Sequence, residues 1–555
     1  MKRYLISLVA LLTLGFSVNV YAADISELSD IIKSGEKMIV LEDDYEGNPT
    51  GIRNDVTIDL NGHKINAVLG IMSKVTVKDS KGTGELTSSL DNGATVQVIG
   101  GEFTLDGATI TNPVGYGIAG YDGGVITINS GKILSESAAI SGNNTEGTLN
   151  VTVNGGVLTA KEGPAIYMSS PVGCTITGGT LNGGISIRMG VINISGGKFI
   201  ANPVVNDIKT NYMGQNIAVG DTLFVLAGTY TTKASEGNKL ELNITGGEFI
   251  NENKVGGAIT IYDLGKVEQN VTVNVSGNVK ATTNGENRKG FEVLNLTEAG
   301  ISEPLEGYGE YSGKVNVVIT DGTYTGDVSK YVKEGYVAEL VNGVSNVTKK
   351  DTKVIVPVIG GEVKDVTIGV SGDVKDTLDK SLLESNIDIK NVNPIVEVSV
   401  KTIDTKDVNK DVLTKIEDFV KMSSKKLTVA NYFDISLLVK NSNDEKIGEL
   451  SEIVAPIEFK VALTDELKNV KDGYVRNYYI LRIHDDKTEI IPAKFDNGNL
   501  VFSSDKFSNY VLAYEDTEEV KNPATLDNVA SYVGTGVLSL VSFIGAAYII
   551  KKRCK

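Results

Sequence analysis

Tryptophan is absent from this 555-residue chain, aromatic residues make up only 6% of it, and it has just two histidines and two cysteines. So few His and Cys side chains exclude most His/Cys zinc chemistry. Cys554 stands in the extreme C-terminal tail, so Cys174 has no partner for an intrachain disulfide in the rest of the chain, and a large core must supply the stability that bridges give many exported proteins. Positive charge is also short. There are 53 Lys and Arg against 70 Asp and Glu, a formal charge of −17, which argues against nucleic acid as a partner. Glycine is what the chain has in excess: 61 residues, about 11% against a usual share near 7%. With 41% hydrophobic residues, this composition fits a turn-rich β protein with more than one packed core. It fits neither a helical enzyme nor a disordered chain.

The two ends carry the clearest signals. Met1-Lys2-Arg3, an uncharged run from Tyr4 to Val20 and then Tyr21-Ala22-Ala23-Asp24 read as a secretory signal peptide over residues 1–22, cut between Ala22 and Ala23. A second apolar run, residues 529–550, is long enough at 1.5 Å per residue to cross a bilayer core, roughly 30 Å. The basic tail 551–555 would hold that end in the cytoplasm. These signals predict an exported, cell-surface protein with a C-terminal transmembrane helix. Residues 517–528 form a linker containing Asn522-Pro523-Ala524-Thr525. A short Pro/Thr motif, an apolar span and a basic tail together resemble the cell-wall sorting signal of Gram-positive surface proteins. That resemblance implies a sortase that cuts after Thr525 and peptidoglycan as the attachment partner. Leu526 departs from the Gly or Asn expected after the Thr.

Between the ends, a strand-like run followed by Gly-Gly or a close variant recurs: VQVIGGEF (96–103), VITINSGKI (125–133), VTVNGGVL (151–158), CTITGGTL (174–181), VINISGGKF (191–199), LNITGGEF (242–249) and VVITDGTY (317–324). The second glycines stand at 101, 131, 156, 179, 197, 247 and 322, with early gaps of 30, 25, 23 and 18. Apolar and polar residues alternate before each turn, the period of a half-buried strand. One such unit cannot bury its own apolar face; stacked copies can. The alignment places Phe103, Phe199 and Phe249 at equivalent positions on one inner face.

The repeat resembles the right-handed parallel β-helix of pectate-lyase-like proteins, and VTIDLNGHKI (56–65) looks like a first full coil of bacterial surface β-helices. Ser26 to Ser34 reads as an amphipathic capping helix that begins at Ser26 and stops at Gly35. This domain is expected to span residues 23–348, with about 12 coils at the usual strand spacing. A β-propeller is the runner-up, but its repeats are longer and usually carry tryptophan. Asp327 to Tyr331 and Gly335-Tyr336 resemble a closing segment of Firmicutes surface β-helices. Residues 349–516 then read as a β-sandwich-like stalk interrupted by one amphipathic helix, Asp407 to Met422. The segments 432–440 and 490–516 resemble a stalk domain of Firmicutes surface proteins.

Chemistry is sparse in this sequence. Arg53, Arg188 and Arg288 are the only arginines of the repeat region. Arg188 alternates outward from Ile185 and Ile187 and reads as a solvated strand residue, with no Asp cluster in its coil or one repeat away. Asp43-Asp44, with Glu42 directly before it, is the one place in the repeat region where acidic residues adjoin, in a loop near the capped end. His63 follows the Asn61-Gly62 turn, and His484-Asp485-Asp486 reads as a hairpin tip rather than a metal site. No RTX-type Gly-Gly-x-Gly-x-Asp calcium repeat is present. The sequons at Asn193, Asn243, Asn270 and Asn346 carry little meaning within strand-turn repeats. We assign no catalytic, cofactor or metal residue from the sequence. The expected function is that of a surface-anchored, non-catalytic adhesin that contacts glycans or a host surface, with Tyr116, Tyr121 and Tyr167 available to stack on sugar rings. The alternatives are a polysaccharide lyase or glycoside hydrolase, and a purely architectural surface protein.

Overall fold

The computed structural model describes residues 22–142, 149–203, 220–227, 239–263, 270–295, 315–355, 366–371, 374–484, 487–496 and 499–519. These fall into two compact units. The first contains the repeats up to residue 351 together with residues 388–394 and 441–443; the second contains the remainder.

In the first unit the chain visits three parallel ladders in a fixed order. One pass runs through Val56–Asp59, Lys64–Asn66 and Leu69–Ile71, and the next through Lys74–Lys78, Glu85–Thr87 and Ala94–Ile99. Each strand pairs in parallel with its counterpart one pass later. The third ladder is a separate ten-stranded sheet running from Thr50–Ile52 to Phe291–Leu294. Alternation explains the burial: Val56, Val75, Phe103, Ile126, Val151, Cys174, Ile192, Leu242 and Val273 form one fully or almost fully buried column of the first ladder.

The first and second ladders are not separate sheets. Val125–Ser135 pairs with Asn150–Val153 through its first half and with Val157–Ala160 through its second. Lys239–Asn251 does the same with Gly190–Ile194 and Lys198–Ile200. With Gly173–Ile176 and Thr180–Asn182 between them, the hydrogen bonding closes into an all-parallel ring of eight strands, a barrel in its connectivity. The corner inside Val125–Ser135 needs glycine. Gly131 has φ +102°, and a Cβ there would meet the Ala108 carbonyl oxygen at 2.3 Å.

These observations correct the expected class, a right-handed parallel β-helix followed by a one-helix sandwich and a transmembrane helix. The expectation treated each Gly-Gly as a break between short strands. Here the strand runs on through its glycine corner, so two ladders fuse into one 21-stranded sheet that closes on itself. No described helix is long and apolar enough to cross a membrane. The expected signal segment up to residue 21, the sorting-like residues Asn522, Pro523 and Thr525, and the apolar run 529–550 lie outside the described residues, so the membrane and cell-wall assignments that rested on them have no support in the structure. Ala22 and Ala23 open the described chain, with Ala23–Asp24 paired in parallel to Tyr45–Glu46.

Two further corrections concern local register. Phe199 and Phe249 stack in register in the second ladder, ring centroids 4.6 Å apart, whereas Phe103 lies in the first ladder opposite Val75 and Ile126. Gly100-Gly101 turns the chain out of the ten-stranded sheet, and the corner equivalent to Gly131 on that pass falls at Gly107. The N-terminal helix spans Ile25–Lys33, with the Asp24 carboxylate, not Ser26, capping it by accepting the Ser26 N–H at 2.8 Å.

Among its described residues the second unit has a seven-stranded sheet, a four-stranded sheet and three α-helices, Lys375–Glu384, Lys410–Met422 and Asp465–Lys468, where the sequence suggested one. Lys410–Met422 starts later than expected because Asn409 caps it and Thr405–Asp407 forms a separate 3-10 turn. Its Ile416 packs on Leu481, Ile483 and Val511 of the seven-stranded sheet.

Candidate functional site

A groove of about 1050 Å³ in the first unit runs along the strand ends of the second ladder, where the chain turns toward the ten-stranded sheet. Thr111, Leu134, Thr159, Asn182 and Ile200 lie in register along it, one from each successive pass. They are outward residues of half-buried strands, so the groove follows from the same alternation that fills the core. The Asn182 amide donates to Thr159 Oγ1 at 3.0 Å. Lys161 pairs with Glu136 of the preceding pass at 2.8 Å, and this bond holds the ammonium above its ordinary range. Glu252 adds a carboxylate at the far end. The floor is therefore amide, hydroxyl and aliphatic, with one ion pair on its wall.

Two buried asparagines fix the wall. Asn112 donates to the Gly93 carbonyl at 3.1 Å and accepts the Gly115 N–H at 3.0 Å. Asn251 does the same for a later corner, donating to the Gly257 carbonyl at 2.8 Å and accepting the Asn253 N–H at 2.9 Å. Both satisfy turn backbone that would otherwise be buried unpaired.

A second constellation lies on the ten-stranded sheet, and sequence reading missed it. Phe224, Thr260 and Glu292 are in register on successive strands, and Asp221, Tyr262 and Arg288 close around them. Arg288 Nη2 lies 2.9 Å from Asp221 Oδ1 and its Nε lies 2.6 Å from Glu292 Oε1. Tyr262 donates to Asp221 Oδ2 at 2.6 Å, and Thr260 donates to Asp221 Oδ1 at 2.9 Å. Asp221 and Glu292, 71 positions apart in the chain, share one guanidinium.

Burial pushes both carboxyls upward, against the pull of Arg288. Arg288 itself is held above its ordinary value because Asp221, Tyr262 and Glu292 outweigh its own burial. Asp221 is fully enclosed and already accepts from Arg288, Tyr262, Thr260 and the Gly257 N–H. A general base has to reach the proton it takes. The geometry of Asp221 suits a clasp joining three passes of the sheet.

Arg188 is not a solvated strand residue. It is 1% exposed, its guanidinium 5.0 Å from the Phe224 ring centroid and 5.6 Å from that of Tyr167. Tyr167 is thus half-buried beneath Arg188 rather than a free platform, whereas Tyr121 is 40% exposed. His63 donates its backbone N–H to the Leu60 carbonyl, closing the Asn61-Gly62 turn, and its Nδ1 lies 3.2 Å from Asp44 Oδ1. Asp44 also accepts the Lys64 N–H at 2.9 Å. Arg53 is exposed. His484 ends a strand opposite Lys487, and Asp485 and Asp486 lie outside the described residues. Among the described residues no group of three or more His, Cys, Asp or Glu side chains is placed to hold a metal ion.

The clasp leaves only a weak trace in the sequence. TLFVLA (222–227), AITIYD (258–263) and GFEVLN (290–295) are alternating strands whose outward positions include the large side chains Phe224, Tyr262 and Glu292. Comparison of the chain with protein-family models, with curated proteins and with solved structures finds no match in any of the three.

Proposed function

We propose that this chain is a non-catalytic, glycan-contacting protein of a cell surface, and that the groove along the second ladder is where a soluble glycan lies. The observation that carries this reading is the continuous row Thr111, Leu134, Thr159, Asn182 and Ile200 on the floor of a 1050 Å³ groove. Amides and hydroxyls donate and accept, which matches the hydroxyl groups of a sugar, and the aliphatic members suit its C–H faces. Such a volume sits at the upper end for ligand clefts, which suits an elongated ligand. Among the described residues the only cation on the lining is Lys161, already paired with Glu136, which favours an uncharged glycan over an anionic one. The enclosed state of Asp221 supports the non-catalytic part of the reading.

A glycan array followed by titration calorimetry on the intact chain tests it. Asn182→Trp fills the floor of the groove and should weaken binding at least tenfold without changing the melting temperature. Binding that survives this change, or no binding to any soluble glycan, overturns the proposal.

A further inference from the structure

A different surface of the first unit stands out by its lack of charge. From Val125 onward, the outer face of the first ladder presents three columns across six passes. The middle column is Thr127, Thr152, Thr175, Asn193, Asn243 and Asn274, each in register with the next. Asn129, Asn154, Thr177, Ser195, Thr245 and Ser276 follow two residues later on one side, and Val125, Asn150, Gly173, Val191, Glu241 and Thr272 precede it on the other. Glu241 is the one charged residue among them, and it is matched by Lys239 at 2.6 Å. Over the whole chain 22% of residues are charged.

The depletion is local. On earlier passes the same face carries Lys74 paired with Glu102 and Lys78 paired with Asp59. On the same late passes the neighbouring second ladder carries Lys198, Glu248 and Lys280, with Lys280 2.8 Å from Glu248. Side-chain amides run along the axis of the face: Asn154 donates to Asn129 at 3.0 Å, and Asn243 to Asn193 at 3.0 Å. Hydroxyls and amides thus repeat at the strand spacing, about 4.8 Å.

We infer that this face docks on the surface of an insoluble, uncharged polysaccharide. An open sheet face has no walls to hold one soluble chain, so the partner that suits it is itself an extended, periodic surface. Its neutrality fits neither an anionic polymer nor a lipid headgroup, which would call for Lys or Arg. Its hydroxyls and amides fit a partner that both donates and accepts hydrogen bonds at regular intervals. Many weak contacts then act together. This surface is separate from the groove, and it stands whether or not a soluble glycan binds there.

The test is depletion of the intact chain from solution by microcrystalline cellulose and by chitin, with a pectate gel as the anionic control. Retention on at least one neutral solid but not on pectate is the expected result. The double variant Thr152→Lys/Thr175→Lys should lower the partition at least tenfold. Thr152→Val/Thr175→Val, which keeps shape and β-propensity, should lower it several-fold and covers the case in which the lysine variant misfolds. Asn182→Trp should leave retention unchanged, which separates this face from the groove. Equal retention of wild type and both double variants overturns the inference, as does stronger retention on pectate. So does retention on ice, or a dimer in sedimentation that the lysine variant dissociates, without retention on either neutral solid.

Discussion

The stacked pair Phe199 and Phe249 offers the sharpest energetic test of the register. Both side chains are fully enclosed, and their rings lie 4.6 Å apart at an interplanar angle of 9°. Truncating either to alanine removes a large buried group from a packed column and should cost about 3–5 kcal/mol. The direct stacking energy should appear as coupling of about 0.5–1.5 kcal/mol between Phe199→Ala and Phe249→Ala in a double-mutant cycle. Phe103→Ala should cost about as much alone, yet add to Phe199→Ala within about 0.5 kcal/mol, because the two side chains belong to different ladders. Guanidinium unfolding followed by circular dichroism gives the energies. Hydrogen exchange at Lys198–Ile200 and Lys239–Asn251 gives a local readout, which matters because stacked repeats interact mainly with their neighbours. Coupling between Phe103 and Phe199 as large as that between Phe199 and Phe249 would refute the register described here.

Other consequences can be checked on the same material. Arg288→Met strips Asp221 and Glu292 of their shared cation and should destabilise the first unit by about 3–5 kcal/mol, read from the denaturation midpoint; a change below about 1 kcal/mol would mean that the clasp is not formed. Asp59 is pushed up by burial, but the N–H groups of Ser80 and Asn61 outweigh this and hold its carboxyl below the ordinary range. Its contribution is therefore complete above the unfolded value near 3.9 and is lost as pH falls through the lower folded value. Asp59→Asn should flatten the acid limb of a stability–pH curve, and an unchanged limb would contradict the assignment. Cys174 is enclosed, and burial pushes its thiol up to about 12. In a Cys554→Ser background, Ellman's reagent at pH 8 should find no thiol until the chain is denatured, and rapid labelling of the native protein would place Cys174 at the surface.

The alternation of the repeats was enough to indicate parallel stacking of like positions and to pick out the inner residues, because burial on one side of a strand writes itself into every second position. The corners were less legible. Gly-Gly marks a change of direction without saying which of three corners it makes, and Gly100-Gly101 makes a different one from Gly196-Gly197. Continuation of Val125–Ser135 through Gly131, which closes the eight-strand ring, is equally invisible, because a bent strand and two short ones share one pattern of residues. Arg188 looked solvated because alternation gives direction, and it says nothing of what covers the side chain. Asp221, Arg288 and Glu292 were unreadable for a related reason. They meet through register between passes of unequal length, and no fixed spacing along the chain encodes that. The groove residues were hidden by their ordinariness, since Thr159 and Asn182 have no chemical signature until the stack aligns them.

A groove that holds a glycan as proposed, without cutting it, leaves the polymer intact. Product analysis by mass spectrometry addresses this directly, using the intact chain incubated over days with the uncharged polysaccharide it binds best, with and without calcium. The polysaccharide should keep its length distribution, with no unsaturated or new reducing ends accumulating while binding persists. Shortened products that increase with protein concentration and disappear in the Asn182→Trp variant would contradict the proposal.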